Sequence, residues 1–169
     1  RQKPLIHVTV LRKDKIFFKD YFFNDAVLAK NDIARMIYLR AELGTEHIYN
    51  LAGDGVIISS PMGSTAYSMA AGGPIVHPEV KGLVLTPICP HSLIHRPFVV
   101  PDSAPISLRI LPPHHSVTLT LDGQVAINID EQDVVTINDR KVKKVSLIKN
   151  PDRLYFETIR DKFITSKKD

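Results

Sequence analysis

Alternation of apolar and polar residues with a period of two is the dominant pattern along this 169-residue chain. It is clearest over residues 106–110, 117–121 and 125–129, and it is typical of strands with one buried and one exposed face. Asp122-Gly123 separates the last two segments, and this dipeptide favours a tight β-hairpin. The pattern therefore predicts a mainly β protein.

Two further pairs of strands are predicted on either side of this hairpin. Residues 5–11 are rich in apolar and β-branched side chains, and a turn at Lys13-Asp14-Lys15 leads into residues 16–18. A second hairpin is predicted near the C-terminus from residues 134–137, a turn near Asn138-Asp139, and residues 142–148.

Two short helices are also predicted. Ser64 or Thr65 is a candidate N-cap for a helix over residues 66–71, and Gly72-Gly73-Pro74 would end it. A second helix is predicted after Asn150-Pro151-Asp152, where three apolar residues are spaced four apart: Tyr155, Ile159 and Phe163.

Composition and charge narrow the class of protein. The chain is 44% apolar and 24% charged, which is enough for a packed core and argues against wholesale disorder. No apolar run is long enough to span a membrane, and Arg1-Gln2-Lys3-Pro4 lacks a secretory cleavage site. The single cysteine, Cys89, excludes an intrachain disulfide, so we expect a cytoplasmic protein without a membrane partner.

The net charge of +4 suits an anionic ligand such as a phosphorylated nucleotide. It would also suit nucleic acid, but the basic residues are dispersed and no nucleic-acid-binding motif accompanies them, so no nucleic-acid partner is expected. None of the seven histidines has the spacing of metal ligands, and no metal site is predicted.

Residues 53–74 form the most informative segment. They combine a Gly-Asp-Gly turn, an apolar strand, a Pro/Gly loop and the start of a helix, where free N–H groups attract anions. The segment lacks both the lysine of a Walker A loop and the third glycine of the dinucleotide fingerprint. From the residues alone, a ligand site and a purely structural connection are equally open.

The same segment resembles the signature of the NAD kinase family, through Gly53-Asp54-Gly55, the loop around Ser64-Thr65-Ala66-Tyr67, and Ala71-Gly72-Gly73-Pro74. The match continues in order at residues 23–27, 33–36, 85–93, 96–97 and 122–124. This resemblance implies that residues 33–43, which have a helix-like composition, are mainly a strand. It also implies a mainly β, β-sandwich-like C-terminal domain with one or two short helices. The whole enzyme would combine an α/β domain with this β domain.

The resemblance implies a reaction as well. NAD kinases phosphorylate the adenosine-ribose 2′-hydroxyl of NAD to give NADP, using ATP or, in some members, polyphosphate, with Mg²⁺ or another divalent metal. Residues 1–169 are then a single NAD-binding and oligomerisation domain of a homodimer or homotetramer. The family's N-terminal α/β domain, with its catalytic Gly-Gly-Asp-Gly motif, is absent from this chain. We therefore expect no catalytic residue here and no activity from this chain alone.

Eleven residues match the family's NAD site. Asn24 and Asp25 match the residues that hold the adenosine ribose, and Asp54 matches a carboxylate at the nicotinamide end. The adenine loop and the remaining binding positions are Thr65, Ala66, Tyr67, Ser68, Met69, Ala70, Arg35 and Gln124. Met62 and Ala70 lack hydroxyls that many members have at these positions. Purely structural roles stay open, with Asn24-Asp25 as a turn, Arg35 on the surface and Gln124 at a strand start.

Two other functions stay open. One is a non-catalytic nucleotide-binding or assembly module. The other is the second domain of a diacylglycerol- or sphingosine-type lipid kinase, against which the loop at residues 64–67, the Asp122-Gly123-Gln124 motif and the lack of a long apolar lining all argue.

Overall fold

The computed structural model describes residues 1–92, 95–138, 143–148, 151 and 154–164. Its strands are β1 (Gln2–Pro4), β2 (Ile6–Arg12), β3 (Lys15–Phe22), β4 (Asp25–Lys30), β5 (Ile37–Leu43), β6 (Glu46–Gly53), β7 (Gly55–Ser59), β8 (Gly82–Ile88), β9 (Phe98–Pro101), β10 (Ile106–Leu111), β11 (Val117–Leu121), β12 (Val125–Ile129), β13 (Asp133–Asn138) and β14 (Lys144–Ser146). Its helical elements are a 3₁₀ turn (Gly63–Thr65), α1 (Tyr67–Ala70), α2 (Tyr155–Ile159) and a π-helical turn (Arg160–Ile164).

These strands form a β sandwich, which confirms the predicted fold class. One sheet has the order β3-β2-β13-β10-β5-β6, the other β12-β11-β4-β7-β8-β9, and β1 pairs separately with β14. The inner faces of the two large sheets meet in one apolar core. The alternation predicted this packing, because Ile106, Leu108, Val117, Leu119 and Leu121 are all buried there.

The predicted tight turns are present. Lys13 and Asp14 join β2 to β3 with φ values of 49° and 60°, and Asp122 and Gly123 join β11 to β12 with φ values of 49° and 66°. Two successive residues with positive φ match the right-handed twist of hairpin strands. Residues 37–43 form β5, so the strand interpretation of this region is confirmed there, whereas residues 33–36 lie outside any strand.

The predicted hairpin near the C-terminus is wrong. β13 pairs with β10 and β2, and β14 pairs with β1, so the two segments are not partners. Their period-two pattern shows which face of each strand is buried, but it carries no information on the neighbouring strand. The predicted turn near Asn138-Asp139 falls partly on Asp139, which lies outside the described part of the chain together with residues 140–142.

The helices begin later than predicted. Ser64 is not an N-cap, because its hydroxyl accepts a hydrogen bond from the Val76 N–H at 3.0 Å and donates to the Pro61 carbonyl at 2.7 Å. α1 follows Ala66 and ends before Gly72, whose φ of 89° suits glycine at a helix C-terminus. The second helix, α2, occupies residues 155–159; Asp152, in its predicted start, lies outside the described residues.

The second sheet is covered on both faces at β7. All five residues of β7 are buried, including Ile57 and Ser59, whose positions alternate with the core residues Val56 and Ile58. α1 packs on the outer face of β7, and Ser68 of α1 bonds to Thr86 of β8. None of the described helices is long and apolar enough to cross a lipid bilayer.

Candidate functional site

A cavity of about 390 Å³ opens on the outer face of the second sheet, where β4, α1 and the β11–β12 hairpin meet. It is lined by Asn24, Asp25, Val27, Ala66, Tyr67, Thr120, Asp122 and Gly123. The cavity thus brings four of the eleven predicted site residues together, although Asn24-Asp25 and Ala66-Tyr67 are about forty residues apart in the sequence.

The Asp122 carboxylate holds the segment that leads into β4. Its Oδ2 accepts the Phe23 N–H at 2.7 Å, and its Oδ1 accepts the N–H groups of Asn24 at 2.7 Å and Asp25 at 3.1 Å. Asp122 has a left-handed backbone with φ 49°, and its own N–H donates to the Asp25 carbonyl at 3.0 Å, so the hairpin turn lies beside this segment. Asp122 therefore has a role beyond the hairpin turn that the sequence predicted.

Asp25 is the most buried carboxylate of the cavity, with only 6% of its surface exposed. Burial raises its pKa, the nearby charge of Asp122 raises it further, and a hydrogen bond from the Tyr67 backbone N–H partly offsets both. The site thus holds a carboxyl group that keeps its proton to a higher pH than an exposed aspartate does.

The loop before α1 lies directly against Asn24. A Cβ atom on Gly63 would overlap the carbonyl group of Asn24, so only glycine permits this approach. The Gly63 N–H donates to the Ser60 hydroxyl at 3.0 Å, and that hydroxyl donates to the Phe23 carbonyl at 2.6 Å. The Pro/Gly loop of the sequence motif therefore packs against the backbone of Asn24, one of the residues that line the cavity.

The predicted adenine loop divides into residues that face the cavity and residues that do not. Ala66 and Tyr67 line the cavity, and Tyr67 is 47% exposed. Ser68 is fully buried and bonds to Thr86 at 2.8 Å, so its side chain points into the protein. Thr65 and Met69 are half-buried and Ala70 is exposed, and none of the three lines the cavity.

Asp54 lies at the opposite end of β4 from Asp25. The β4–β7 register pairs Asp25 with Ser59 and Ala29 with Gly55, which places Asp54 roughly 16 Å from Asp25 along the strand. The Asp54 carboxylate forms an ion pair with Lys30 at 2.7 Å, and its backbone carbonyl accepts the Lys30 N–H at 2.9 Å. Asp25 and Asp54, two of the predicted ligand contacts, are therefore separated by the length of β4.

The last two predicted residues also lie outside the cavity lining. The Arg35 side chain is 65% exposed, with Asp32 at 3.7 Å. Gln124 is exposed next to Gly123, and its N–H donates to the Leu121 carbonyl at 2.9 Å to close the hairpin turn.

A second, smaller cavity of about 220 Å³ lies at the other side of the loop, among Lys3, Met62, His77 and Tyr155. Its half-buried cation is already neutralised, since the Lys3 ammonium contacts Glu79 at 2.6 Å and the Pro78 carbonyl at 2.7 Å. This cavity therefore offers less unpaired polar chemistry than the one at Asn24-Asp25.

The cavity carboxylates do not fit a resident metal ion. Among the residues that the structure describes, no group of three or more His, Cys, Asp or Glu side chains is placed to hold one. Asp122 already accepts three backbone N–H groups, which a metal would have to displace.

The chain is thus a β-sandwich domain with an open cavity on the outer face of one sheet, beside a loop of small residues. The chain belongs to the ATP-NAD kinase C-terminal domain family, whose match covers residues 23–149.

Relatives and a solved structure agree with this assignment. The chain is 38% identical over 161 residues to an NAD kinase of Desulforamulus reducens, covering 95% of this chain and 56% of the relative. It is 44% identical over 140 residues to an NAD kinase of Syntrophotalea carbinolica, covering 82% and 48% of the two chains. The chain thus spans about half the length of the curated relatives it matches.

The crystal structure of yeast NADH kinase complexed with NADH superposes with a TM-score of 0.88 at 28% identity. The superposition covers 98% of this chain and 49% of the yeast chain. This likeness agrees with the sandwich fold predicted from the sequence.

Sequence reasoning missed four of the cavity-lining residues and one supporting residue: Val27, Thr120, Asp122, Gly123 and Ser60. Thr120 and Val27 are neighbours in the β11–β4 register, so each lies on the outer face because its alternate neighbours lie in the core. The alternation in β11 contained this signal. The alternation gave no signal for the role of Asp122, whose contact partners are almost a hundred residues away, although the family resemblance includes residues 122–124.

Proposed function

We propose that this chain supplies most of the NAD-binding site of an NAD kinase. The reaction transfers a phosphoryl group from ATP, or polyphosphate, to the adenosine-ribose 2′-hydroxyl of NAD and gives NADP. The observation that carries the proposal is the cavity itself, because it joins Asn24-Asp25 to Ala66-Tyr67 in a chain of this family.

The cavity chemistry suits an adenosine. The Asn24 amide can both donate and accept hydrogen bonds, and the Asp25 carboxyl group can pair with a ribose hydroxyl. Tyr67 offers an aromatic face beside the small residue Ala66, which leaves room for a flat base. The raised pKa of Asp25 allows its carboxyl group to be a donor as well as an acceptor in the acidic range.

The remaining predicted residues have supporting places in this proposal. Asp54 lies about a dinucleotide's reach along β4, where it would contact the nicotinamide end while Lys30 fixes its orientation. Ser68 holds α1 against β8 and thereby positions Tyr67. Thr65, Met69, Ala70, Arg35 and Gln124 are proposed as peripheral contacts, all outside the cavity lining.

Phosphoryl transfer depends mainly on positioning and on neutralising the charge of the phosphates. In our proposal this chain positions the acceptor hydroxyl, and the catalytic aspartate belongs to the α/β half of the enzyme. Mg²⁺ or another divalent metal enters with ATP and neutralises part of its charge. We further propose a cytoplasmic homodimer or homotetramer, in which this chain alone forms no NADP.

Calorimetric titration with NAD tests the proposal. Asn24→Ala should weaken NAD binding by about tenfold, because it removes hydrogen bonds at the ribose. Asn50→Ala is the matched control, since Asn50 is an exposed asparagine of β6 that bonds only to His47 at 3.0 Å among the described contacts. Equal affinities of both variants would place the ligand elsewhere.

A second assay separates the kinase from a non-catalytic binding module. The intact protein is incubated with NAD, ATP and Mg²⁺, and NADP is measured with an NADP-specific dehydrogenase. Formation of NADP that falls in Asp25→Ala supports the kinase. Tight NAD binding without NADP formation would instead favour the binding module.

A further inference from the structure

Residues 23–25 have an unusual hydrogen-bonding arrangement. All six of their backbone N–H and C=O groups have partners, and among the described residues Asp122 and Ser60 provide all of these partners. Backbone groups near a strand start normally draw their partners from several neighbours or from water. The conformation of residues 23–25 therefore depends on the side chains and backbone N–H groups of Asp122 and Ser60.

Asp122 provides four of the six hydrogen bonds. Its carboxylate accepts the three N–H groups, and its own N–H donates to the Asp25 carbonyl at 3.0 Å. Hydrogen bonds to an ionised carboxylate are stronger than those between neutral groups. Because Asp122 belongs to the β11–β12 turn, this hairpin and the start of β4 behave as one unit.

Ser60 provides the other two. Its hydroxyl donates to the Phe23 carbonyl at 2.6 Å, and its N–H donates to the Asn24 carbonyl at 2.9 Å. The same hydroxyl accepts the Gly63 N–H, which connects the segment to the loop before α1. Ser60 follows β7, so the segment is held from the side opposite to the hairpin.

We propose that Asp122 and Ser60 are positioning residues that set the direction of the Asn24 and Asp25 side chains for the ligand. They act through the backbone of residues 23–25, which presents both side chains to the cavity before the ligand arrives. The role of these side chains in binding NAD rests on the function proposed above, whereas the arrangement of the backbone does not.

The first test measures steady-state kinetics in the intact protein. Asp122→Ala should raise the KM for NAD on the order of tenfold and leave the KM for ATP within about twofold. Asp122→Asn should restore most of the affinity, because its carbonyl oxygen still accepts the Asn24 and Asp25 N–H groups. Asp14→Ala is the matched control, since Asp14 has a similar left-handed backbone, φ 60°, in the β2–β3 turn.

Ser60 has a control in the adjacent residue. Ser59 is fully buried, and among the described residues its hydroxyl has no hydrogen-bond partner. Ser60→Ala should raise the KM for NAD about fivefold, while Ser59→Ala should leave it unchanged. Equal effects of the two substitutions, or equal effects of Asp122→Ala and Asp14→Ala, would overturn the proposal.

Amide hydrogen exchange provides a readout that is independent of NAD. The N–H groups of Phe23, Asn24 and Asp25 should be protected in the wild type, and they should exchange at least tenfold faster in Asp122→Ala than in Asp14→Ala. Unchanged protection in Asp122→Ala refutes the positioning role even in a protein that binds no NAD. Conversely, wild-type protein that shows this protection but forms no NADP would contradict only the proposed function.

Discussion

The hydroxyl groups of Ser68 and Thr86 lie 2.8 Å apart in the fully buried contact between α1 and β8. Gly73 packs against both hydroxyls, and a Cβ atom there would overlap Ser68 Oγ. This contact fixes α1 at the distance from the sheet that leaves the cavity open beside Tyr67.

Loss of one hydroxyl from this pair should leave the other buried without a partner. Thr86→Val is expected to lower the free energy of unfolding by about 1–3 kcal/mol. Ser68→Ala combined with Thr86→Val should cost less than the sum of the single substitutions, because neither hydroxyl then remains unpaired. Urea unfolding of the four proteins measures this coupling, and strict additivity would contradict it.

The close approach of Gly63 to Asn24 predicts a steric effect on the site. Gly63→Ala should destabilise the protein by about 2 kcal/mol or more and weaken NAD binding, because its Cβ atom displaces the Asn24 carbonyl. The control is Gly44→Ala, at which φ is +59° and the nearest atom is 3.8 Å away. That control carries backbone strain of about 1 kcal/mol but should bind NAD normally. Thermal unfolding of both variants measures the loss of stability, and calorimetry measures NAD binding. Loss of binding in Gly63→Ala alone would show that displacement of Asn24, and not backbone strain, affects the site.

Asp25 should make the protein less stable at neutral pH than in mild acid. Its pKa is raised in the folded state, so its contribution to stability is present below the unfolded value of about 3.9 and is lost as the pH rises through the folded value. Asp25→Asn should therefore stabilise the protein at pH 7 relative to wild type while weakening NAD binding. Urea unfolding at pH 4 and pH 7 is the measurement, with Asp14→Asn as the control. A variant that is less stable than wild type at pH 7 would contradict the expectation.

The Arg12–Asp133 pair predicts the opposite pH dependence. Asp133 is buried, which raises its pKa, but the paired hydrogen bonds from Arg12 at 2.8 and 2.7 Å and one from the Asp130 N–H outweigh this and lower it. The pair therefore stabilises the fold above the unfolded pKa of about 3.9, and this stability is lost as the pH falls through the lower folded value.

Substitution of Arg12 tests this pair. Arg12→Met should lower the free energy of unfolding at pH 7, because it leaves the buried Asp133 carboxylate without its ion-pair partner. The control Arg40→Met removes the more exposed Arg40–Glu42 pair and should cost about 1 kcal/mol or less. Equal losses in chemical denaturation would show that burial of Asp133 does not matter.

Local patterns were sufficient to predict much of the fold. The alternation in β10 and β11 and the Asp122-Gly123 turn each depend on neighbours within a few residues. The partner of β13 could not be predicted in this way, because β2 is more than a hundred residues away in the sequence. Pairing of distant strands is decided by how whole sheets pack.

The candidate site was predicted to a similar extent. The resemblance pointed to Asn24, Asp25 and Tyr67, and the fold brings them to one cavity. Ser68 faces the interior instead, because an α-helical turn gives adjacent residues different directions. The support given by Asp122 and Ser60 is a property of three converging loops, which no single segment of the sequence contains.

Strand β4 serves the core with one face and the cavity with the other. Ala26 and Leu28 belong to the apolar core, whereas Asp25 and Val27 line the cavity. Substitutions at neighbouring positions on this strand are therefore expected to affect different properties of the protein. Saturation mutagenesis of β4 should show effects with a period of two residues. Substitutions at the core positions should lower the yield of folded protein, whereas substitutions at the cavity positions should change ligand preference in protein that still folds.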